Sequence, residues 1–518
     1  MIIILINFLL TLTLIEAQEK KPDFILPEII ITGKPKQIIE MKKIETILIP
    51  EPLKIFEIKE PLVMDISEIE RLSLEEKPKE LIPEEFKPTI YPKKEIKKFK
   101  ESKISYGNYD ALSFELTMTE QFEKYKYLIT TEFDGMSLPA FHNRKDKFEI
   151  FSEFAFSISD KMKSTAYFSY LNINAEIPDS MLSTKRVIPY FGFNFNYEYA
   201  PDTIIGANLE LINTTVSEEA YNDFTKKLNI YTKLYRYWEI KHELLISIAV
   251  RNDSIYDSIG YFYLEDKFNL RDDLSMSMGL RLDGSTLSPI IKAFYEIYNY
   301  STSFYMRYEP YLEYPEFSKL YTSNIYTKVN KKIEPSHYTS SLVFGCKKKF
   351  HEEVSGIFEL SYNNINDYIS WQQDYSTKLF TPVNINSTNF FFLSSGIYYE
   401  NIKRLKLGFN YQLTLARNKT NSYIPYLPEH ILRFELVYPN DVLNVDGNLS
   451  FVSSRHIDQI KDDKLDSYIL LNIDVARKIK ENIEIIAGVR NLLNFYYQEW
   501  NYYQEPLLRI FLGTKIIF

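Results

Sequence analysis

The chain has 518 residues, of which 45% are apolar, 15% aromatic and 25% charged, a balance that excludes a wholly disordered protein. Its formal charge of -9 lacks the basic excess on which nucleic-acid affinity rests. The single cysteine, Cys346, excludes an internal disulfide framework, and no phosphate-binding loop, zinc-protease helix or nucleophile elbow occurs.

In chain order, the first element is the apolar run Ile2 to Ile15. It is shorter than the roughly 20 residues of a membrane-spanning helix, and it lies where the apolar core of a secretory signal belongs. Residues 1–17 therefore read as a signal peptide ending at Ala17, although the segment carries no Lys or Arg. Residues 18–104 follow as a Pro/Lys/Glu-rich periplasmic arm. They hold 18 basic and 18 acidic side chains, ten prolines and one glycine, Gly33, which is too charged and too interrupted to form a core. The run Pro27 to Gly33 stands out within the arm, because consecutive β-branched residues favour an extended chain able to add to a sheet edge. From Lys34 to Lys100 the recurring Pro motifs suit an extended spacer. At about 3.1 Å per residue it could cross part of the periplasm as a solvated linker or enter a barrel lumen.

Residues 105–518 carry 74 of the 80 aromatics and alternate apolar and polar residues with period two. Leu405, Leu407, Phe409, Tyr411, Leu413 and Leu415 share one face, opposite Lys406, Gly408, Asn410, Gln412, Thr414 and Ala416. About 21 such strands begin near residues 110, 123, 147, 162, 189, 202, 225, 239, 257, 273, 287, 301, 338, 354, 387, 404, 430, 443, 466, 481 and 506. Most approach the length at which a tilted strand crosses a membrane. Joints alternate between tight turns and longer loops, the latter near 136–146, 171–188, 310–337, 369–386 and 498–504. That asymmetry predicts an all-β transmembrane antiparallel barrel, with short turns toward the periplasm. A chain whose two ends share one side needs an even number of strands, so the weak run Lys103 to Tyr109 is added to make 22. The last strand alternates Leu508, Ile510, Leu512, Thr514, Ile516 and Phe518 against Arg509, Phe511, Gly513 and Lys515. Leu512, Thr514, Ile516 and the terminal aromatic Phe518 resemble the signal read by the outer-membrane assembly machinery.

Several segments resemble the barrel domain of TonB-dependent outer-membrane receptors. These are Ser105 to Tyr109, Tyr314-Pro315-Glu316-Phe317-Ser318-Lys319-Leu320-Tyr321, Asn330 to Ser336, Pro425 to His430 and Val489 to Tyr497. The order and spacing of these segments carry the resemblance, which covers most of residues 101–518. It implies a bacterial outer-membrane location, contact with membrane lipids and transport of a small molecule such as a metal chelate, with no cofactor and no enzymatic activity. Glu28, Ile29, Ile30, Ile31, Thr32 and Gly33 resemble the TonB box, which implies TonB or another periplasmic protein as partner; a β-prone patch in the arm is the other reading. The family's plug domain is glycine-rich, whereas residues 34–100 contain no glycine, so the usual plug is expected to be missing.

Two readings of function stay open: an energised transporter or channel, and a plugless pore or scaffold barrel that binds a periplasmic partner through its arm. No ligand signature is legible in the loops. Strand-end tyrosines such as Tyr295, Tyr298, Tyr300, Tyr308, Tyr311 and Tyr314 are expected to form interfacial girdles. The loop aromatics Tyr321, Tyr326, Trp371 and Tyr375 fit a girdle or a ligand surface equally well. His456, with Asp458, Asp462, Ser453 and Ser454, is the sole local grouping that chemistry could use, and a polar loop explains it without chemistry.

Overall fold

The computed structural model describes residues 98–518 apart from 123–124, 139–142, 160, 178–182, 218–220, 238–239, 352, 401–404, 440–441 and 460–462. The signal peptide, the TonB-box-like segment and residues 34–97 lie outside the described residues. The wall runs β1 (Lys98–Gly107), β2 (Leu112–Gln121), β3 (Tyr125–Leu138), β4 (Asn143–Ser159), β5 (Met162–Glu176), β6 (Ser183–Ala200), β7 (Thr203–Val216) and β8 (Tyr221–Tyr237). It continues with β9 (Lys241–Asp253), β10 (Asp257–Arg271), β11 (Leu274–Asp283), β12 (Thr286–Ile297), β13 (Thr302–Tyr308), β14 (Ser336–His351), β15 (Val354–Asn366) and β16 (Thr388–Glu400). It ends with β17 (Lys406–Asn418), β18 (His430–Tyr438), β19 (Leu443–Val452), β20 (Tyr468–Lys480), β21 (Ile483–Arg490) and β22 (Arg509–Ile517). β13 resumes as Tyr311–Glu313 on the same partner strand after Pro310, which has no N–H for the ladder. With these two pieces counted as one strand, the wall is a closed antiparallel barrel of 22 strands.

Closure is made by β22 against β1, in register from Glu101↔Ile517 to Gly107↔Phe511. Two glycines sit where these backbones approach most closely. A Cβ on Gly107 would lie 2.4 Å from the Ile510 carbonyl oxygen, and one on Gly513 2.4 Å from that of Ile104. Asn108 stitches the seam further, its side-chain amide donating to the Leu508 carbonyl at 2.8 Å while its Oδ1 accepts from the Ile510 amide at 2.8 Å.

Each strand of the alternation stands as expected. On β9, Ile248 and Val250 are exposed while Ser247 and Arg251 are buried; on β17, Phe409 and Leu415 are exposed while Thr414 and Ala416 are buried. The apolar face points out of the barrel and the polar face into it, the arrangement that suits lipid outside and polar contacts inside. Inward side chains pair with one another, as in Lys292 with Glu265 at 3.1 Å and Arg490 with Asp474 at 2.7 Å. No helix among the described residues is long and apolar enough to cross a membrane.

Three boundaries differ from the sequence reading. β1 begins at Lys98, so residues 98–104 are wall rather than arm. β3 to β6 run for 14 to 18 residues, so that the expected long loops near 136–146 and 171–188 are largely strand. Polar side chains at those strand tips hide the ladder, which is built by the backbone.

Candidate functional site

At the end of the barrel that carries the longer loops, segments 314–335, 367–387, 419–429, 453–467 and 491–508 fold onto one another. Their shared core is aromatic, with Phe317, Tyr321, Tyr326, Trp371, Phe380, Tyr426, Trp500 and Tyr503 all buried. Ring contacts tie distant loops together: Tyr326 stacks on Tyr503 at 3.5 Å, Trp371 meets Trp500 edge-on at 5.8 Å, and Phe380 meets Tyr426 at 5.3 Å. The same cluster takes in Ile173, Ala175, Val216 and Tyr221 at the tips of β5, β7 and β8. Those strands stand across the ring from the ones that bear the five loops, so the cluster spans the mouth as a cap.

The cap is built from local signals. Pro315 and Glu316 lead into a short helix, α1 (Phe317–Ser323), which buries Phe317, Leu320 and Tyr321. The guanidinium of Arg251 donates to the carbonyls of Tyr314 at 3.0 Å and Pro315 at 2.7 Å, and Lys227 reaches the Glu316 carboxylate at 2.5 Å. Arg186, 1% exposed, donates to the carbonyls of Ile325 at 2.9 Å and Thr327 at 2.7 Å. Loop 367–387 folds as a hairpin, Tyr368–Gln373 against Phe380–Ile385, and docks by backbone bonds between Phe380 and Tyr326 and between Lys328 and Phe380. The amide of Asn330 donates to the Pro382 carbonyl, and that of Asn384 to the carbonyls of Glu334 and Asp367. The Gln373 side-chain amide donates to the Asn501 backbone carbonyl while the Asn501 side-chain amide donates to Gln373 Oε1, and Arg455 donates to the Gln498 carbonyl at 2.6 Å.

Electrostatics within the cap are uneven. The Lys328 ammonium, followed by hydrogen bonds from Ser376 and Thr377, holds the Asp374 carboxyl well below the usual carboxylate range. Burial, reinforced by nearby Glu505, pushes Glu499 well above it. Among the described residues no group of three or more His, Cys, Asp and Glu could hold a metal ion.

The structure sorts the sequence candidates. Tyr321, Tyr326 and Trp371 are cap core, while Tyr375 is 44% exposed. Tyr298 and Tyr300 are exposed at the opposite rim, as a girdle requires, but Tyr311 is buried and stacks on Tyr338 at 4.2 Å, because β13 re-enters the wall there. His456 stacks on Tyr423 at 3.7 Å, and its carbonyl accepts from the Tyr426 amide, a packing role; Asp462 lies outside the described residues. Leu512, Thr514, Ile516 and Phe518 line the outward side of β22, Leu512 and Phe518 strongly exposed. The inward wall arginines Arg186, Arg251 and Arg281, and Arg455 of loop 453–467, were not singled out by the sequence. An available signal was the spacing Arg-x-Asp at 251/253 and 281/283, which puts both charges on one face of a strand.

No family model and no curated protein matches the sequence. Solved structures do match. The siderophore receptor PirA from Acinetobacter baumannii has a TM-score of 0.64 at 11% identity, covering 82% of this chain and 80% of that one. The copper transporter OprC has a TM-score of 0.62 at 13% identity, with coverages of 83% and 82%. The ferric-catecholate import receptor Fiu from K12 E. coli has a TM-score of 0.63 at 10% identity, with 82% of both chains covered. The fold is that of the 22-stranded barrels of TonB-dependent outer-membrane receptors.

Proposed function

We propose that this chain is an outer-membrane receptor-type transporter for a small nutrient of the metal-chelate class, with the five-loop cap as its outer gate. The observation that carries the reading is a closed 22-strand barrel with the fold of siderophore and copper receptors, whose mouth is spanned by interlocked loops. A cap tied to the wall through Arg186, Lys227, Arg251 and the apolar tips of β5, β7 and β8 can be released without disturbing the ladder, since wall hydrogen bonds and cap contacts are separate sets. In this reading Glu28, Ile29, Ile30, Ile31, Thr32 and Gly33 add as a strand to TonB or another periplasmic partner. Leu512, Thr514, Ile516 and Phe518 present the assembly signal before β22 closes on β1.

Ile30→Pro tests the coupling, because proline removes a backbone donor needed for strand addition. Uptake of iron or copper chelates by cells carrying the variant should fall to the level of cells without the protein. Uptake at the unaltered level would remove the energised reading. The cap's continuous hydrogen bonding favours one second reading, a barrel that stays shut and presents its loops as a surface, and uptake of every chelate equal in cells with and without the unaltered protein would favour it.

A further inference from the structure

The outward face of β3 to β6, on the side of the wall away from the cap core, holds a cleft of about 610 Å³. Register places its lining in two rows. The lower row runs Phe133↔Phe148↔Asn172, and the upper row Asp146↔Asn174↔Lys185, with Ser183 and Ser217 beyond it. Lys185 is exposed and its chain neighbour Arg186 is buried under the cap, which fixes the cleft on the outer surface.

The chemistry of the lining is specific. The Phe133 ring leans over Gly135, where a Cβ would lie 3.0 Å from its Cζ, and Phe148, its cross-strand partner, adds a second ring to the lining. Asn172 shares the row of the two rings, Asp146, Asn174 and Lys185 stand in the next row, and the hydroxyls of Ser183 and Ser217 complete the lining. Asp146 is already neutralised by Arg144, whose Nε lies 2.9 Å from both carboxylate oxygens, so the site does not select for net charge. Aromatic rings beside two amides suit a pyranose ring, which has C–H groups on one face and hydroxyl groups around its edge. The cleft's height on the wall narrows the source. One row below it lies Tyr170, and two rows below are the exposed Phe168 and Phe191 of the lipid-facing band.

The geometry points to a saccharide-binding cleft at the outer membrane interface, in which Phe133 and Phe148 stack the sugar and Asn172 and Asn174 bond its hydroxyls. This site is independent of the transport reading. It is tested with the full chain in nanodiscs of phosphatidylglycerol alone or with lipopolysaccharide added, and with soluble core oligosaccharide as a third probe. Native mass spectrometry of the unaltered chain should show retained saccharide, and the double variant Asn172→Ala/Asn174→Ala should lower the affinity about tenfold or more. Phe148→Ala should act in the same direction, with heat-modifiable gel mobility confirming that both variants fold. Binding of lipopolysaccharide without the soluble oligosaccharide assigns the site to a glycolipid headgroup, and binding of both assigns it to a free or lipid-linked glycan. Retention of neither, or retention unchanged by both variants, would overturn the proposal.

Discussion

Arg186 shows how one residue can hold a loop that the wall itself does not specify. Its backbone belongs to β6, yet its side chain ends on two carbonyls about 140 residues along the chain, at Ile325 and Thr327. Bonds from a charged donor contribute about 1.5–3 kcal/mol each. Arg186→Met should therefore lower the local opening free energy of segment 314–335 by about 2–4 kcal/mol, read by amide hydrogen exchange, while the β6 amides keep their protection. Glu499 sets a pH dependence of opposite sense to the usual carboxylate. Its pKa in the folded chain is raised, so its contribution to the cap is whole below the ordinary value of 4.5 and is lost as pH rises from there toward the raised one. Cap amides should exchange faster at pH 8 than at pH 5 after correction for intrinsic rates, and Glu499→Gln should remove that difference. Asp374 does not confuse the test, because its lowered pKa confines its effect to pH below its ordinary value of 3.8. None of these roles was legible in the sequence, where Arg186 is one polar residue among many on an alternating strand.

At the scale of elements, the strands were legible because lipid on one side and polar contacts on the other impose period two on the residues themselves. Even the weak first strand was recoverable from parity, although its start at Lys98 was not, since Lys98 to Lys103 share the composition of the arm. The loops were not legible. Aromatic core positions such as Phe380 and Trp500 come from separate loops with no common periodicity, and only their three-dimensional meeting distinguishes them from interfacial tyrosines. Segments recognised by resemblance, such as Tyr314 to Tyr321 and Val489 to Tyr497, prove to be anchor points. Asn491, for example, adopts a φ of 49° and closes its turn by accepting from the Phe495 amide and donating to its carbonyl. Phe380 is fully buried between Tyr426, Trp500 and Tyr503, and its removal should cost the cap about 3–5 kcal/mol. Phe380→Ala should make the loops susceptible to brief trypsin treatment while the barrel keeps its heat-modifiable mobility. Unchanged resistance of the loops would mean that the aromatic cluster does not hold the cap.

For the whole molecule, two sets of interactions divide the work. The ladder of 22 strands, sealed between β1 and β22, makes a wall whose outside suits lipid. The cap, made of five loops and the tips of strands across the ring, spans the mouth and is held by a separate set of contacts. The sequence supports the strand number and the facing of the wall but not the reach of β3 to β6, and the cap emerges only from the fold. Single-channel conductance in a planar bilayer tests this division most directly, with the full chain beside a chain lacking residues 18–97. Both should give low conductance, rising to large steady steps only when the hairpin 368–385 is also deleted. Large steady conductance from either chain with its loops intact would contradict the closed cap.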